Sequence, residues 1–343
     1  MSGPVNEFYR FPPRNGVPAG RTRTGRGAPH EPPIVGVIYN PRSHRNRGAD
    51  LEVAERPNVH LAQPEGREAI AEALSDFASR GIDYLIVNGG DGTVRDVLTA
   101  AQHVFGDDWP ALAVLPKGKT NALNVDLGAP AGWNLCDAID AFPRGRRVVR
   151  RPLSVCPVEG DADPMLGFIM GAGGFTLGVR AGQDAHRMGA FDSLAVAVTS
   201  AWGVLQGLFG SDGNVWRRGA QMEILLGDAR EPLEHAGNGY EGRRAVMLAS
   251  TLHRFPAGLK VFGKYREGLK LTAMDRPGRR LLAAVPAILA GWSPGWLDSA
   301  GFHVRQVDRF ELDIADRFIL DGEAFPPGRY RVEQGPELEF VVP

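Results

Sequence analysis

The chain has 343 residues, which is long enough for two domains that each bury a core of their own. Its formal net charge of −1 argues against a general nucleic-acid-binding protein, and no segment reaches the roughly 18 uninterrupted apolar residues needed to span a membrane. Cys136 and Cys156 show neither metal-ligand spacing nor a disulfide framework, so a reducing, cytoplasmic environment is expected.

Residues 1–32 are rich in Pro, Gly and Arg, and they show no apolar periodicity and no apolar core of a signal peptide. This composition predicts a disordered tail. Its arginines allow two interpretations, a loose attraction to an anionic membrane surface or a solvated extension without a role.

Residues 33–145 alternate short apolar runs with segments of helical periodicity. Such alternation is typical of an α/β domain with a doubly wound parallel sheet, in which the turns at the carboxyl ends of the strands line one crevice. Three of these turns are rich in Gly, Asn, Ser, Lys or Arg, and their convergence predicts a binding site. Strands are predicted over 34–39, 83–88 and 111–115, a helix over 65–80, a short helix ending near residue 128, and turns over 40–43, 89–93 and 116–121.

The most informative turn is Gly89-Gly90-Asp91-Gly92-Thr93, which joins a predicted strand to a predicted helix. Glycines at such a junction allow positive φ and a close approach of backbone amides to a ligand, and Thr93 is expected to cap the helix. Because Asp91 places a carboxylate within an anion-binding turn, the pattern indicates a phosphate bound together with a metal ion. This combination points to nucleoside triphosphate chemistry.

Beyond about residue 145 the pattern changes to short strands separated by turns. It predicts a mainly antiparallel β-sandwich domain over residues 146–343, with the extreme C-terminus able to return to the first domain. Apolar residues at helical spacing also predict a helix within residues 191–210, facing either the core or lipid. The strands are expected over 147–158, 165–170, 221–226, 244–249, 269–273, 310–314, 317–320, 330–333 and 338–342.

Three segments of the first domain together resemble the diacylglycerol kinase catalytic family, which includes bacterial lipid kinases and sphingosine kinases. They are the turn over 40–43, the glycine turn over 89–93 and the segment over 115–121. The resemblance is strong in the first domain and weak in the second. It implies an ATP-binding α/β domain, a β-sandwich domain for the lipid, and transfer of the γ-phosphoryl group of Mg-ATP to a diacylglycerol-like or sphingoid hydroxyl.

The resemblance also assigns roles to individual positions. Asp91 and Glu323 are the implied catalytic residues, with Glu323 as general base in the segment Asp321-Gly322-Glu323. Glu267, in a weaker segment that the family associates with magnesium, is the second implied metal ligand beside Asp91. The implied nucleotide-contacting residues are Asn40, Arg42, Ser43, Gln63, Gly89, Gly90, Asp91, Gly92, Thr93, Gly118, Lys119, Thr120 and Asn121.

Several positions depart from the family pattern. Arg95-Asp96 stands where Asn-Glu is common, Lys119 replaces a Thr, and Ala122 replaces a frequent Asp. Arg95 and Lys119 carry positive charge that can serve ATP phosphates directly. Equally, these changes fit a different phosphoryl donor or a weakened active site.

Alternative functions therefore stay open. An Asp-Gly pair between apolar runs is most often a simple hairpin turn, and a catalytically weakened nucleotide- or lipid-binding protein fits the same pattern. A kinase of a soluble acceptor is the other alternative, because NAD kinases and phosphofructokinases carry similar glycine turns. The expected partners are ATP, a lipid alcohol and a membrane surface contacted peripherally, without nucleic acid and with a homodimer left open.

One competing motif is set aside. Residues 291–295 fit the G-x-S-x-G pattern of a hydrolase nucleophile elbow. That elbow needs a preceding strand and a backbone N–H on the residue after the serine. Here a helix-like segment precedes Ser293, and Pro294 has no N–H to donate.

Overall fold

The structure is a computed structural model that describes residues 6–11, 29–43, 46, 56–176, 219–236, 242–255 and 258–343. Within these ranges no helix is long and apolar enough to cross a membrane. The helix predicted within residues 191–210 lies outside the described residues.

The first domain is built on a mixed six-stranded sheet with the order β2-β1-β3-β4-β19-β5. Strands β1 to β4 and β19 run parallel, and β5 pairs antiparallel with β19. Strands β1, β3 and β4 are buried on both faces, which is why they are continuous apolar runs rather than alternating ones. The strands are β1 (Val35–Tyr39), β2 (Val59–Ala62), β3 (Tyr84–Gly89), β4 (Ala111–Pro116), β5 (Arg146–Arg150) and β19 (Leu338–Val342).

Helices cover both faces of this sheet. Helices α1 (Arg67–Ser79), α2 (Asp91–Phe105) and α3 (Ala122–Leu127) pack on one face, and α4 (Leu135–Asp140) packs on the other. The predicted doubly wound α/β domain is therefore confirmed. Gly128, in the left-handed conformation at φ 76°, ends α3 as its sequence position predicts.

The second domain is a sandwich of two mainly antiparallel sheets around one apolar core. One sheet has the order β10-β9-β15-β18-β6-β7, with β11 also paired to β9, and the other has the order β14-β13-β12-β8-β16-β17. The predicted β-rich fold class is confirmed. Its strands are β6 (Leu153–Pro157), β7 (Met165–Gly167), β8 (Ile169–Gly173), β9 (Ala220–Leu226), β10 (Glu231–Pro232), β11 (Arg243–Arg244), β12 (Val246–Ser250), β13 (Leu269–Met274), β14 (Phe302–Val307), β15 (Arg309–Ile314), β16 (Phe318–Leu320), β17 (Glu323–Phe325) and β18 (Gly328–Gln334).

Two helices interrupt the second sheet between β13 and β14. They are α5 (Arg279–Leu289), which contains Pro286, and α6 (Trp296–Ser299). Their buried side chains pack with Met274 and Phe302 at the edge of the sheet. The segment before Ser293 is thus a helix, in agreement with the exclusion of a nucleophile elbow.

The chain crosses between the domains at residues 151–152. The single strand predicted over 147–158 is in fact two strands, since β5 belongs to the first domain and β6 to the second. Strand β19 then returns to the first domain, where Phe340 pairs with Leu112 of β4.

Part of the predicted disordered tail is packed. Phe11 is 4% exposed in the core of the first domain, and Phe8 stacks on Tyr330 with ring centroids 5.2 Å apart. The backbone N–H of Asn6 donates to the carbonyl oxygen of Ala324 at 2.8 Å. The high Pro, Gly and Arg content of residues 1–32 led to the prediction of disorder, although Phe8 and Phe11 bury apolar surface in the two domains.

Candidate active site at the carboxyl edge of the parallel sheet

The first turn of the candidate site follows β1. Asn40 donates from its side-chain amide to the hydroxyl oxygen of Thr93 at 2.8 Å and accepts from the backbone N–H of Arg42 at 3.0 Å. The first bond ties the turn over 40–43 to the start of α2, and the second lies within the turn itself. Arg42 is exposed and Ser43 is half-buried at the same edge, and the exposed Gln63 follows the end of β2 there.

The glycine turn uses its glycines for close packing. Gly90 lies at φ −89° and, like Gly89 and Gly92, is not in the left-handed region, so the turn does not use the positive φ that glycine allows. A Cβ atom on Gly89 would lie 2.5 Å from the Thr93 Cβ, and one on Gly90 would lie 2.9 Å from the Gly118 Cα. A Cβ atom on Gly92 would meet nothing within 4 Å, which leaves open space beside the first turn of α2.

Thr93 does not cap α2. The helix begins at Asp91 with Gly90 as its N-cap and without a side-chain cap, and the Thr93 hydroxyl instead accepts from Asn40. The predicted cap is wrong because the helix starts three residues earlier than the pattern suggested. An uncapped N-terminus beside open space is suited to an anion, since its first N–H groups have no partner within the helix.

The second glycine turn is shaped by Asn121. This residue is 8% exposed and lies in the left-handed region at φ 51°. Its side chain accepts from the Gly118 N–H at 2.7 Å and donates to the Gly118 carbonyl oxygen at 2.9 Å. The amide of Asn121 is thus engaged within the turn, whereas the neighbouring Lys119 and Thr120 are exposed.

Asp91 joins the two glycine turns. One of its carboxylate oxygens accepts from the backbone N–H of Asn121 and the other from that of Ala122, both at 2.9 Å. The carboxylate therefore caps α3, the helix that follows the second turn. Burial raises the pKa of Asp91, although these backbone N–H groups act in the opposite direction.

The Asp321-Gly322-Glu323 segment is a tight hairpin turn between β16 and β17. Leu320 pairs with Glu323 across it, and Asp321 and Gly322 have φ values of 46° and 85°, as a two-residue turn with positive φ at both positions requires. The two carboxylates are consequently on opposite sides of a turn rather than neighbours on one face of a strand.

Asp321 holds this hairpin against the start of β8 and lies on the side of the first domain. Its carboxylate accepts from the backbone N–H of Phe168 at 3.0 Å and from that of Ile169 at 2.9 Å. Burial, followed by the charge of Asp91, raises the pKa of Asp321 to about 7. The charge of Asp91, in the glycine turn of the first domain, thus contributes to the shift at Asp321, in the hairpin of the second. Asp321 was given no role from the sequence, although its position in the Asp-Gly-Glu segment indicated that it belongs to the site.

Glu323 is half-buried at the first position of β17. One of its carboxylate oxygens accepts from the side-chain amide of Asn6 at 3.1 Å. The N-terminal segment therefore reaches the residue that the resemblance implies as the general base.

Arg95 lies at the domain junction. Its side chain is 3% exposed, pairs with Asp96 at 2.9 Å and donates to the carbonyl oxygen of Leu320 at 3.2 Å. It also lies over the Phe325 ring, 5.7 Å from the centroid. The prediction that Arg95 serves ATP phosphates is not supported, because its donors are directed to Asp96 and to the carbonyl oxygen of Leu320.

The structure does not assemble the predicted pair of metal ligands into a centre. Glu267 is exposed in the loop before β13, where its backbone carbonyl accepts from the Gln306 side chain at 3.1 Å. Among the described residues, no three His, Cys, Asp or Glu side chains cluster closely enough to hold a metal ion. The implied role of Glu267 therefore has no support in the geometry.

Asn88, the residue before the glycine turn, was not predicted as part of the site. It is fully buried, and its side-chain nitrogen and oxygen have no hydrogen-bond partner in the described part of the chain. An unsatisfied buried amide costs about 1–3 kcal/mol. The sequence did contain a signal for Asn88, because it is a polar residue at the end of an otherwise apolar strand.

Comparison with known proteins confirms the resemblance in the first domain. Residues 35–155 match the family model of the diacylglycerol kinase catalytic domain. The proteins named "Probable lipid kinase YegS" from Shigella flexneri and from Escherichia coli O157:H7 are 33% identical over 76 residues, which cover 22% of this chain and 25% of each relative. The match thus spans a quarter of the length of these relatives.

Solved structures show the same fold over nearly the whole chain. A diacylglycerol kinase from Bacillus anthracis str. Sterne is 13% identical and covers 90% of this chain and 96% of its own, with a TM-score of 0.56. Another chain from that organism is 15% identical and covers 90% of this chain and 97% of its own, with a TM-score of 0.61. At such low identity the similarity establishes the two-domain fold.

Proposed function

We propose that this protein is an ATP-dependent lipid kinase that transfers the γ-phosphoryl group of ATP to a lipid hydroxyl. The observation that carries the proposal is the hydrogen bond from Arg95, on the helix that begins at Asp91, to the carbonyl oxygen of Leu320, which holds the Asp321 hairpin of the second domain against the first domain. Phosphoryl transfer requires a nucleotide and an acceptor to meet in line, and here the nucleotide-type turn of one domain faces a carboxylate turn of the other.

The donor would bind in the crevice formed by the turns over 40–43, 89–93 and 117–121. The open space at Gly92 and the uncapped N-terminus of α2 support phosphate binding there. Lys119, exposed beside this crevice, supplies the positive charge that Arg95 does not. The unpartnered amide of Asn88 lies at the base of the same edge and would hydrogen-bond the nucleotide.

The carboxylates at this edge fit a magnesium ion that accompanies ATP. Mg²⁺ prefers oxygen ligands and is commonly bound through one or two carboxylates together with substrate phosphates. Burial, followed by the charge of Asp91, raises the pKa of Asp321, and a divalent cation would favour the ionised form of both carboxylates. When bound, Mg²⁺ would neutralise charge on the phosphate oxygens.

Glu323 is the proposed general base. It begins β17 directly after the turn that carries Asp321, so it approaches the junction from the side of the second domain. Its carboxylate would accept the proton of the lipid hydroxyl as the oxygen attacks the γ-phosphorus, a contribution of about 10² to 10⁴ in rate. Asp321 acts as a positioning residue, because its bonds to Phe168 and Ile169 hold the hairpin.

A lipid acceptor requires the enzyme to work at a membrane. We infer a cytoplasmic protein that associates with the bilayer peripherally. Glu323→Gln separates binding from chemistry: it should leave ATP affinity within a few-fold of the wild type and cut lipid phosphorylation by the general-base factor given above. Near-full activity of Glu323→Gln would refute the assignment of the base.

A further inference from the structure

Beyond the exposed Arg279 and Arg280 at its start, helix α5 has no polar residue on its outer face at the surface of the second domain. Its inner residues Leu281, Leu282 and Ile288 are buried, whereas Ala283, Pro286, Ala287 and Ala290 along the outer side are exposed. The sequence contains no charged residue from position 281 to position 297. A helix on the surface of a globular protein normally carries charged or polar residues on its outer face.

The apolar surface continues beyond the helix. Trp292 is 49% exposed immediately after α5, and its ring centroid lies 6.0 Å from that of Trp296. Leu259 is 36% exposed on the adjoining loop. The backbone N–H of Lys260 donates to the Leu289 carbonyl oxygen at 2.8 Å, which fixes this loop beside the helix.

Cations border this surface. Arg279 and Arg280 are exposed at the N-terminal end of α5, and Lys260 and Lys264 are exposed on the adjoining loop. The Arg280 guanidinium lies over the Trp296 ring, 4.3 Å from its centroid. The neighbouring carboxylate of Asp298 is already paired with Arg305 at 2.9 Å and hydrogen-bonded to His303.

We propose that this α5 surface docks the protein on an anionic lipid bilayer. We define it as Leu259, Ala283, Pro286, Ala287, Ala290 and Trp292, with the cations Lys260, Lys264, Arg279 and Arg280 at its border. The small apolar side chains and the tryptophan enter the boundary between head groups and acyl chains, and the border cations contact lipid phosphates. The proposal rests on the proposed function, because a lipid kinase meets its acceptor at a bilayer.

The charge of the border favours a bilayer over a second copy of the chain. A symmetric contact through this surface would place two cationic borders against each other, which costs free energy. An anionic bilayer instead attracts each border cation by about 1 kcal/mol, or about fivefold in affinity.

The test is co-sedimentation of the full chain with vesicles, performed without ATP. Vesicles of phosphatidylglycerol and phosphatidylcholine should bind the protein, and vesicles of phosphatidylcholine alone should bind it at least tenfold more weakly. Ala287→Glu should weaken binding to the anionic vesicles at least tenfold, and the pair Arg279→Ala with Arg280→Ala should weaken it about 25-fold. The matched control is Ala315→Glu, which places the same charge at an exposed position in the turn after β15.

A second measurement does not depend on affinity. Brominated acyl chains should quench the tryptophan fluorescence of Trp292→Phe less than that of the wild type, because the indole of Trp292 is the one inserted into the bilayer. Vesicle binding by Ala287→Glu equal to that of Ala315→Glu, or unchanged quenching in Trp292→Phe, would overturn the proposal. So would a change of oligomeric state in Ala287→Glu with unaltered vesicle binding, which would assign the surface to a second copy.

These outcomes are independent of catalysis. Loss of lipid phosphorylation with normal vesicle binding would count against the proposed function alone. Normal phosphorylation of detergent-dispersed lipid by a variant that no longer binds vesicles supports both proposals.

Discussion

The guanidinium of Arg95, on the helix that follows the glycine turn, donates to the carbonyl oxygen of Leu320 at 3.2 Å, one residue before the hairpin carboxylate of Asp321. A second contact joins the same helix to the second domain, where the hydroxyl oxygen of Thr99 accepts from the backbone N–H of Leu166 at 3.0 Å. These bonds fix how close the hairpin approaches Asp91. Helix α2 thus carries the nucleotide-type turn at its start and the attachment of the acceptor domain along its length.

Replacing Arg95 should weaken this junction. Arg95→Met leaves the Leu320 carbonyl without its donor and removes a partner of Asp96, and we expect a loss of about 2–3 kcal/mol in the free energy of unfolding. The control is Arg80→Met, which removes an exposed ion pair with Asp76 at 2.8 Å and should cost less than about 0.5 kcal/mol. Chemical denaturation of both variants checks the difference, and equal stabilities would contradict a structural role for Arg95.

Gly90 and Gly92 should differ in how well they tolerate substitution by alanine. Gly90→Ala forces a Cβ atom to 2.9 Å from the Gly118 Cα, and because both atoms belong to the backbone, we expect a loss of about 1–3 kcal/mol. Gly92→Ala meets nothing within 4 Å and should stabilise α2 by about 0.5–1 kcal/mol. The new methyl group would nevertheless occupy space proposed for phosphates, so ATP affinity should fall. Denaturation and ATP titration separate the two effects, and full ATP affinity in Gly92→Ala would move the phosphate site elsewhere.

Asp91 should have a measurable structural role besides its proposed chemical one. Asp91→Asn keeps one of the two acceptors that cap α3, so we expect a loss of about 1 kcal/mol in stability and loss of phosphoryl transfer. Asn134→Ala is the matched control, because it removes the side-chain cap of α4, where Asn134 accepts from the Asp137 N–H at 2.9 Å. Asn134→Ala should lose a similar free energy of unfolding and keep the phosphoryl-transfer rate of the wild type. Normal turnover by Asp91→Asn would reduce Asp91 to a helix cap.

The stability of the fold should depend on the protonation of Asp321. Its pKa is raised to about 7 in the folded protein, whereas an aspartate in an unfolded chain has a pKa of about 3.9. Between about pH 4 and 7 the folded state retains a proton that the unfolded state has lost, so this group lowers the unfolding free energy as the pH rises. The stability difference between wild type and Asp321→Asn should change across this window and be constant above it. A difference independent of pH would contradict the raised pKa.

The sequence predicted the elements of the first domain well because each leaves a local signal. The strand before Gly89 and the helix that Gly128 ends are specified by apolar periodicity and by turn residues a few positions away. The convergence of three polar turns followed from the rule for parallel sheets. Each of these inferences used information within about ten residues of the position concerned.

The errors concern contacts between residues far apart in the sequence. Nothing near Arg95 indicates that its partner is the carbonyl of Leu320, and nothing near Asp91 indicates that its carboxylate caps a helix that begins 31 residues later. The division of the predicted strand over 147–158 depends on β19, which reaches the first domain from the far end of the chain. In all three cases the structure depends on contacts with residues distant in the sequence, which local patterns do not record.

Transfer of label from [γ-³²P]ATP to lipid tests the central proposal most directly. Wild type and Glu323→Gln would be compared on mixed vesicles that contain diacylglycerols or sphingoid bases, with soluble sugars and NAD as alternative acceptors. We predict label in a lipid that partitions into the organic phase, reduced about 10²- to 10⁴-fold in Glu323→Gln while ATP binding persists. Label found solely in inorganic phosphate or in a soluble acceptor, with no lipid product from the wild type, would contradict the assignment as a lipid kinase.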